Sequence, residues 1–512
     1  MDATTEIRQV SGSKQFPESE VTEHKSPSLS LEQRIGEYWF AQLGIIILLL
    51  GLIFLISYAF NRFGPFWQVV TGYGVTGVIY GVYRISRKRY SFIANILFPG
   101  TLLLLYFVTL RMHFYNPHPL ITNKFIGLLA LLIVLGLQTG IVWKRQSEWM
   151  AFLPIVLGNL TALLSDTHQF ALALIMLVAL ATALMLSIKH WQILGISGIV
   201  LSYGSYLLYL LNDPLLGKKI QILPQHDWMI VYLIVTLLLY AVVSFRPHVN
   251  DYLTRVTRIA LTTFNSSGFY IVALLITFSF FRDHLAFWNF VFAGLLFGIA
   301  TAHWTIRKSR YSTSFYSSFS YIALTVGILA STQNPYTYLW LVWQSALVIA
   351  TAIWFQSNII IWANTGIYTL VLAAYLFTAD ATWAVTINFV LVAVLSERLL
   401  IYARNRIATI PQFFHYLYIL TGYAMMLYAG ALILPAGYIS IGWLLISIAY
   451  LSAGIILRYR PYRWIGFISF IIPVGRIFII DLASLEPIYR IISFLVVGTG
   501  LLIIALFYAR RI

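Results

Sequence analysis

From Trp39 onward, the sequence is a succession of apolar segments, each long enough to cross a membrane. The segments have about 17–24 residues, and roughly 20 apolar residues span the hydrocarbon core of a bilayer as an α-helix. Over the whole chain, 60% of the residues are hydrophobic and 10% are charged, whereas soluble proteins have about 25% charged residues. In water such a chain would expose large apolar patches. The sequence therefore predicts an all-α, polytopic integral membrane protein.

About 18 segments fit this description, and short loops join them. Their centres lie near Leu49, Gly74, Leu102, Ile133, Val156, Met176, Val200, Thr236, Tyr270, Leu296, Leu324, Ser345, Tyr368, Val390, Leu420, Ser447, Phe470 and Gly498. The first 30 residues are polar and rich in Ser, Thr, Glu and Lys, which is typical of a disordered tail. We expect a disordered polar cytoplasmic tail over residues 1–30 and a polytopic transmembrane helical domain over residues 31–512.

The basic residues are divided unequally between the two sides of the predicted bundle. With the N-terminus in the cytoplasm, 25 of the 33 Lys and Arg residues fall on the cytoplasmic side and 8 on the opposite side. Cytoplasmic loops carry such an excess in membrane proteins. We therefore expect a multi-pass protein of the inner (plasma) membrane with both termini in the cytoplasm. Because the basic residues are spread over many loops, we expect membrane lipids and no nucleic acid as partners; protein partners are left open.

Several chemistries lack their sequence patterns. There is no cysteine, which excludes disulfides, thiol catalysis and cysteine-based metal sites. Gly72, Gly74 and Gly77 match the spacing of a dinucleotide-binding loop, but they lie inside an apolar segment. There, the pair Gly77 and Gly81 favours close packing of helices. We expect no cofactor, no metal and no catalytic residue.

Acidic residues are scarce after Glu37. The ten that remain are Glu148, Asp166, Asp213, Asp227, Asp251, Asp283, Asp380, Glu397, Asp481 and Glu486. All fall in loops or near the ends of predicted spans, and none falls at a span centre. Ion-coupled transporters commonly hold a carboxylate within the membrane despite its cost. The sequence therefore disfavours proton coupling through a buried acid.

The C-terminal hairpin is the main candidate for a polar site. Its charged residues are Arg476, Asp481, Glu486 and Arg490, around the last predicted external turn. An arginine inside a span must reach the surface, pair with an acid or line a watery cavity. Two hypotheses follow: a structural ion-pair clamp, or a site that contacts a substrate.

Neutral polar residues also occur inside the predicted spans. The amides are Asn95, Gln138, Asn159, Asn265, Gln344, Asn364 and Asn388. Such side chains commonly join helices by hydrogen bonds, which we expect here in preference to ligand binding. His303 lies at a span end, and we expect it to be a boundary residue and not a catalytic one.

Two stretches resemble a known family. The first runs from Leu31 to Phe40 and continues with Gly44, Gly51, Phe54-Leu55 and Tyr58-Ala59; the second includes Arg476-Ile477-Phe478, Asp481-Leu482, Leu485, Arg490, Ser493-Phe494, Gly498 and Arg510-Arg511. Together they resemble the domain-of-unknown-function 2339 family of predicted bacterial membrane proteins, over about residues 31–110 and 470–512. The resemblance implies many membrane-spanning helices and no established activity. Family members often carry an N-terminal coiled coil, for which this chain has only a short tail.

Three functions stay open. The first is a transporter or flippase-like protein for an envelope or lipid precursor, which would need a polar cavity near the middle of the membrane. The second is a structural or scaffolding membrane protein without transport. The third is a membrane enzyme on a lipid-linked substrate, which would need two or more titratable groups in a lipid-accessible pocket.

Overall fold

The computed structural model describes residues 51, 65–89, 91–114, 120–165, 167–214, 219–223, 228–245, 254–378, 381–403 and 412–476. Every regular element in these ranges is helical, which confirms the all-α prediction. The chain divides into two units, Met1–Val134 and Leu135–Ile512, and each is described by itself. The predicted tail over residues 1–30 lies outside the described ranges.

The first unit is built on a pair of adjacent helices. These are α1 (Pro65–Arg89) and α2 (Ser91–Arg111), and α3 (Lys124–Arg145) begins in the same unit. A Cβ atom on Gly72 would lie 2.8 Å from the Val108 side chain, so the two helices approach closely at this glycine. The hydroxyl groups of Tyr73 and Thr109 are 3.1 Å apart beside it.

The predicted packing glycines of α1 have open surroundings in the described part of the unit. A Cβ atom on Gly77 or Gly81 would meet nothing within 4 Å. The close contact between α1 and α2 uses Gly72 instead, which lies five residues before Gly77 along the same helix. Helix packing through Gly77 and Gly81 stays a prediction.

The second unit is a longer run of helices. Their bounds are α4 (Glu148–Leu163), α5 (His168–Lys189), α6 (Gln192–Leu210), α7 (Met229–Phe245), α8 (Arg255–Phe280), α9 (Leu285–Ala302), α10 (Arg310–Ser331), α11 (Tyr336–Trp354), α12 (Asn358–Thr378), α13 (Trp383–Ala403), α14 (Gln412–Ile433), α15 (Ile439–Ile456), α16 (Arg460–Ser469) and α17 (Ile471–Arg476). Most neighbours in sequence pack together, and so do α6 with α8 and α11 with α13.

Hydropathy predicted the positions of the helices, but it predicted more membrane spans than the described residues support. Helices α1 to α15 each contain one predicted centre, from Gly74 to Ser447. In the described residues, 12 helices are long and apolar enough to cross a membrane, and the apolar helices α4 and α7 are shorter. The number of about 18 is therefore not supported. The centres at Leu49 and Gly498 lie outside the described ranges.

The predicted span around Phe470 is replaced by two short helices, α16 and α17. Pro473 has no N–H group, so it cannot bond to the carbonyl of Ser469 one turn earlier. The hydroxyl of Tyr423 donates to that carbonyl at 3.3 Å instead. A single window of high hydropathy therefore does not reveal this break in the helix, because hydropathy does not indicate that Pro473 lacks a backbone N–H group.

Amide side chains join helices in the interior, as the sequence predicted. Asn265 on α8 accepts a hydrogen bond from the Tyr203 hydroxyl on α6 at 2.7 Å. Its amide nitrogen donates to the carbonyl of Leu237 on α7 and to the Tyr316 hydroxyl on α10, at 3.2 and 2.7 Å. One neutral side chain thus ties four helices together without placing a charge in the membrane.

Helix α16 is held against α15 by two glycines. A Cβ atom on Gly466 would lie 2.6 Å from the Leu451 nitrogen, and one on Gly454 would lie 2.5 Å from the Arg463 nitrogen. Both neighbours are backbone atoms and cannot rotate away. The position of α16 therefore depends on the absence of side chains at these two sites.

We expect Gly466→Ala to destabilise the protein by about 1–3 kcal/mol, the usual cost of overpacking, because the added methyl group must push α15 and α16 apart. Gly294→Ala on α9 is the matched control, since a Cβ there meets nothing within 4 Å. Thermal unfolding in detergent, followed by size-exclusion chromatography, measures the difference. Equal loss of stability in both variants would contradict the close packing.

Candidate functional site

The predicted C-terminal site is described only at its first residue. Arg476 ends α17, and its guanidinium lies 5.0 Å from the centre of the Trp443 ring on α15. The indole of Trp443 in turn donates to the Leu427 carbonyl at 2.8 Å. Asp481, Glu486 and Arg490 lie outside the described ranges, so the clamp and the substrate site both stay hypotheses.

His303 lies at a helix end and is buried within the protein. It begins a π-helical turn, His303–Arg307, after α9. Its ring stacks between Phe245 and Tyr316, with centroids 4.1 and 5.4 Å away. Its Nε2 lies 3.4 Å from the Ser244 hydroxyl. His303 therefore lies at a helix end, as expected, and the aromatic rings of two other helices enclose it.

An open apolar groove lies in the described part of the second unit. Its volume is about 930 Å³, within the range of about 300–1,000 Å³ typical of small-molecule sites. Helices α9, α10, α11 and α13 line it. Its lining residues are Phe290, Leu324, Ile328, Ser331, Thr332, Trp340, Trp343, Gln344, Ala346, Leu347, Ala350, Leu395 and Leu399. None of these side chains is ionisable.

Four of the polar side chains that line this groove, those of Ser331, Thr332, Trp343 and Gln344, form hydrogen bonds within the protein. The Gln344 amide donates to the Tyr321 carbonyl at 2.8 Å. The Trp343 indole donates to the Asn388 side chain at 2.8 Å, and the Thr332 hydroxyl donates to the Ile328 carbonyl at 2.7 Å. The indole rings of Trp340 and Trp343 remain 54% and 40% exposed. The groove therefore offers a hydrocarbon surface with aromatic walls.

A buried carboxylate lies on the other side of α13. Glu397 is 0% exposed. Its Oε2 accepts a hydrogen bond from the Tyr462 hydroxyl on α16 at 3.2 Å and lies 3.5 Å from Nε of Arg398. Its Oε1 has no hydrogen-bond partner among the described residues. This combination of charge, burial and an unpaired oxygen makes Glu397 the most unusual polar group in the described bundle.

Aromatic side chains surround this carboxylate. The Arg398 guanidinium lies 5.2 Å from the centre of the Tyr462 ring, and the Tyr450 ring on α15 lies 5.7 Å from the same ring. The Tyr462 hydroxyl donates its hydrogen bond to Glu397 from within this aromatic cluster.

Sequence reasoning missed the character of Glu397. The residue lies six positions before the end of α13, as expected for an acid near a span end, but its side chain is buried within the protein. The cover comes from Tyr462, 65 residues later in the chain. Hydropathy carries no signal for such a contact. The one local indication of this contact is the pair Gly454 and Gly466, which allow α16 to pack closely against α15.

The family comparison covers this region of the chain. Residues 365–511 match the family model described as a predicted membrane protein, DUF2339. The matched segment includes Glu397, Tyr462 and the four residues of the predicted C-terminal hairpin. No significant match was found among curated proteins or among solved structures. The resemblance noted for residues 470–512 is thereby confirmed up to residue 511, and the match to the model of predicted membrane proteins extends it back to residue 365.

Proposed function

We propose that this chain is a transporter or flippase-like protein of the inner membrane, acting on a lipid or a lipid-linked envelope precursor. The groove along α11 is the single observation that carries the proposal. It takes the hydrocarbon part of the substrate, because its exposed surface is apolar and its polar groups bond within the protein. In a membrane, the hydrocarbon chains of the surrounding lipids are the most abundant ligand of this chemistry.

The dimensions of the groove support one chain as occupant. Along α11, the lining residues run from Trp340 to Ala350, which corresponds to about 15 Å of helix at 1.5 Å per residue. This is about half of the roughly 30 Å thickness of a bilayer core. The groove therefore matches an acyl or isoprenoid chain within one leaflet.

The polar end of the groove suggests where a headgroup would lie. Ser331 and Thr332 line the groove at the end of α10, and Trp340 lines it near the start of α11. These helix ends fall on the side predicted to be external, and tryptophan is enriched at membrane interfaces. A lipid in the groove would therefore hold its headgroup on the external side.

A structural or scaffolding role without transport is the second candidate. It is favoured by the small size of the cavities next to the polar networks: those beside Tyr316 and beside Asn364 are each about 10 Å³, about enough for one water molecule. A transporter must open a wider path than this. The enzyme alternative draws no support from the described groove, whose lining has no titratable group.

We expect Ala350→Trp to reduce lipid binding several-fold, because the indole fills the inner part of the groove. Ala363→Trp on α12 is the matched control: Ala363 is also exposed but does not line the groove. Photocrosslinking of a phospholipid with a diazirine in its acyl chain, in proteoliposomes, measures binding, and mass spectrometry locates the adducts. Equal crosslinking in both variants would contradict the site.

Transport and scaffolding differ in a second measurement on the same proteoliposomes. A headgroup-labelled fluorescent lipid that becomes accessible to an impermeant quencher has crossed the bilayer. We expect the wild type to accelerate this crossing and Ala350→Trp to slow it. Normal crosslinking with no acceleration of crossing would reject transport and favour the scaffold.

The proposed orientation places the basic loops in the cytoplasm. Two contacts join helix ends that fall on the same side of the membrane if successive helices alternate in direction. On the basic side, the Leu194 nitrogen donates to Glu148 at 3.0 Å, and Arg310 donates to Gln356 at 3.1 Å. These contacts support the alternation of direction along the second unit.

The chain contains no cysteine, so single cysteines can report the orientation without background. We expect a cysteine at Gln333 to react with an impermeant maleimide in intact cells, since Gln333 is exposed on the predicted external side. A cysteine at Lys144, exposed on the basic side, should react only after the membrane is permeabilised. The reverse pattern would invert the proposed topology.

A further inference from the structure

The surroundings of Glu397 leave hydrogen bonds unmade in both of its charge states. As a carboxylate, it receives one hydrogen bond from Tyr462 on Oε2, whereas Oε1 has no donor among the described residues. A carboxylate commonly accepts several hydrogen bonds when it is buried as an ion. Leaving one oxygen bare in an apolar interior costs free energy.

Among the described residues, one cation lies close to this group. Arg398 follows Glu397 on the same helix, places Nε 3.5 Å from Oε2 and is 38% exposed. The Arg398 guanidinium also lies against the Tyr462 ring. Because this arginine is partly exposed, it can turn away from the carboxylate without being buried elsewhere in the bundle. The charge balance at Glu397 is therefore adjustable.

The elements packed around Glu397 bring few other ionisable groups. Helix α11 and helix α15 contain none besides tyrosines, of which Tyr450 is nearest; α14 contributes His415; and α16 contributes Arg460, Tyr462 and Arg463. The two arginines of α16 stand at the basic, predicted cytoplasmic side. Protons and compensating charge are thus both available from that side.

The donor set favours a proton over a metal ion. Calcium and magnesium take about six to eight oxygen ligands, whereas Glu397 has a single hydroxyl, that of Tyr462, within hydrogen-bond distance. No group of three acidic or histidine side chains converges anywhere in the described residues. A single proton on Oε1 neutralises the carboxylate without the shell of oxygen ligands that a metal ion needs.

We propose that Glu397 is a proton-binding site inside the membrane, which exchanges its proton with the basic side of the protein through Arg398. When the proton is bound, the Glu397 side chain is neutral and Arg398 turns to solvent. When the proton leaves to water, Arg398 pairs with the carboxylate beneath Tyr462. This inference rests on the α13–α16 contact and is independent of the groove.

Infrared difference spectroscopy of the full chain in lipid tests the proposal. Subtracting the spectrum of Glu397→Gln from that of the wild type should reveal the carbonyl stretch of a protonated carboxyl group, which is lost as the pH rises. Glu148→Gln is the matched control: it removes a carboxylate hydrogen-bonded at a helix start and should leave this pH dependence in place. A Glu397 carboxyl that is ionised at every pH overturns the proposal.

Arg398→Gln tests the partner. Without the cation, the protonated band should persist to higher pH by about one unit or more, a tenfold change in proton affinity. An unchanged pH dependence would remove Arg398 from the exchange. Should Glu397→Gln fail to fold, the comparison of wild type with Arg398→Gln in the same spectral region decides the question by itself.

Discussion

The absence of water from the membrane interior is the constraint on which the rest of this structure depends. Hydrocarbon offers no hydrogen bonds, so every polar group on a spanning helix needs a partner in the protein. The chain meets this need with hydroxyl and amide groups: Asn265 joins Tyr203 and Tyr316, and Asn364 donates to Ser345 at 2.9 Å. Because lipid surrounds the helices, the hydrophobic effect adds little to their association. Directed hydrogen bonds and close packing give the bundle its specific arrangement.

Glu397 differs from these neutral polar groups because it is an acidic residue that is fully buried. Burial of an acid is retained only where the surrounding structure enforces it. The enforcement here comes from α16, a short helix with arginines on one part of its surface and Tyr462 on another, held against α15 by Gly454 and Gly466. The groove shows the opposite arrangement: its apolar indole and leucine side chains are exposed on the surface of the protein, where the membrane can cover them.

The sequence predicted the helices because hydropathy reports a property that each residue carries by itself. Helices α1 to α15 each contain a predicted centre for that reason. The break at Phe470 escaped prediction because it depends on a missing donor at Pro473. The burial of Glu397 escaped because it depends on a contact 65 residues away. The groove escaped for a related reason: exposed and buried tryptophans look alike in a sequence, and only the gap between α10, α11 and α13 distinguishes them.

Helix α13 has a double role that follows from its geometry. Leu395 and Leu399 lie one turn apart on the face that lines the groove. Glu397 is two residues from each, which is about 200° around a helix of 3.6 residues per turn, so it points away from them. An α-helix moves as a stiff rod, and a displacement of one face displaces the other. If occupancy of the groove alters the proton affinity at Glu397, then thermodynamic reciprocity requires proton binding to alter that occupancy by the same factor.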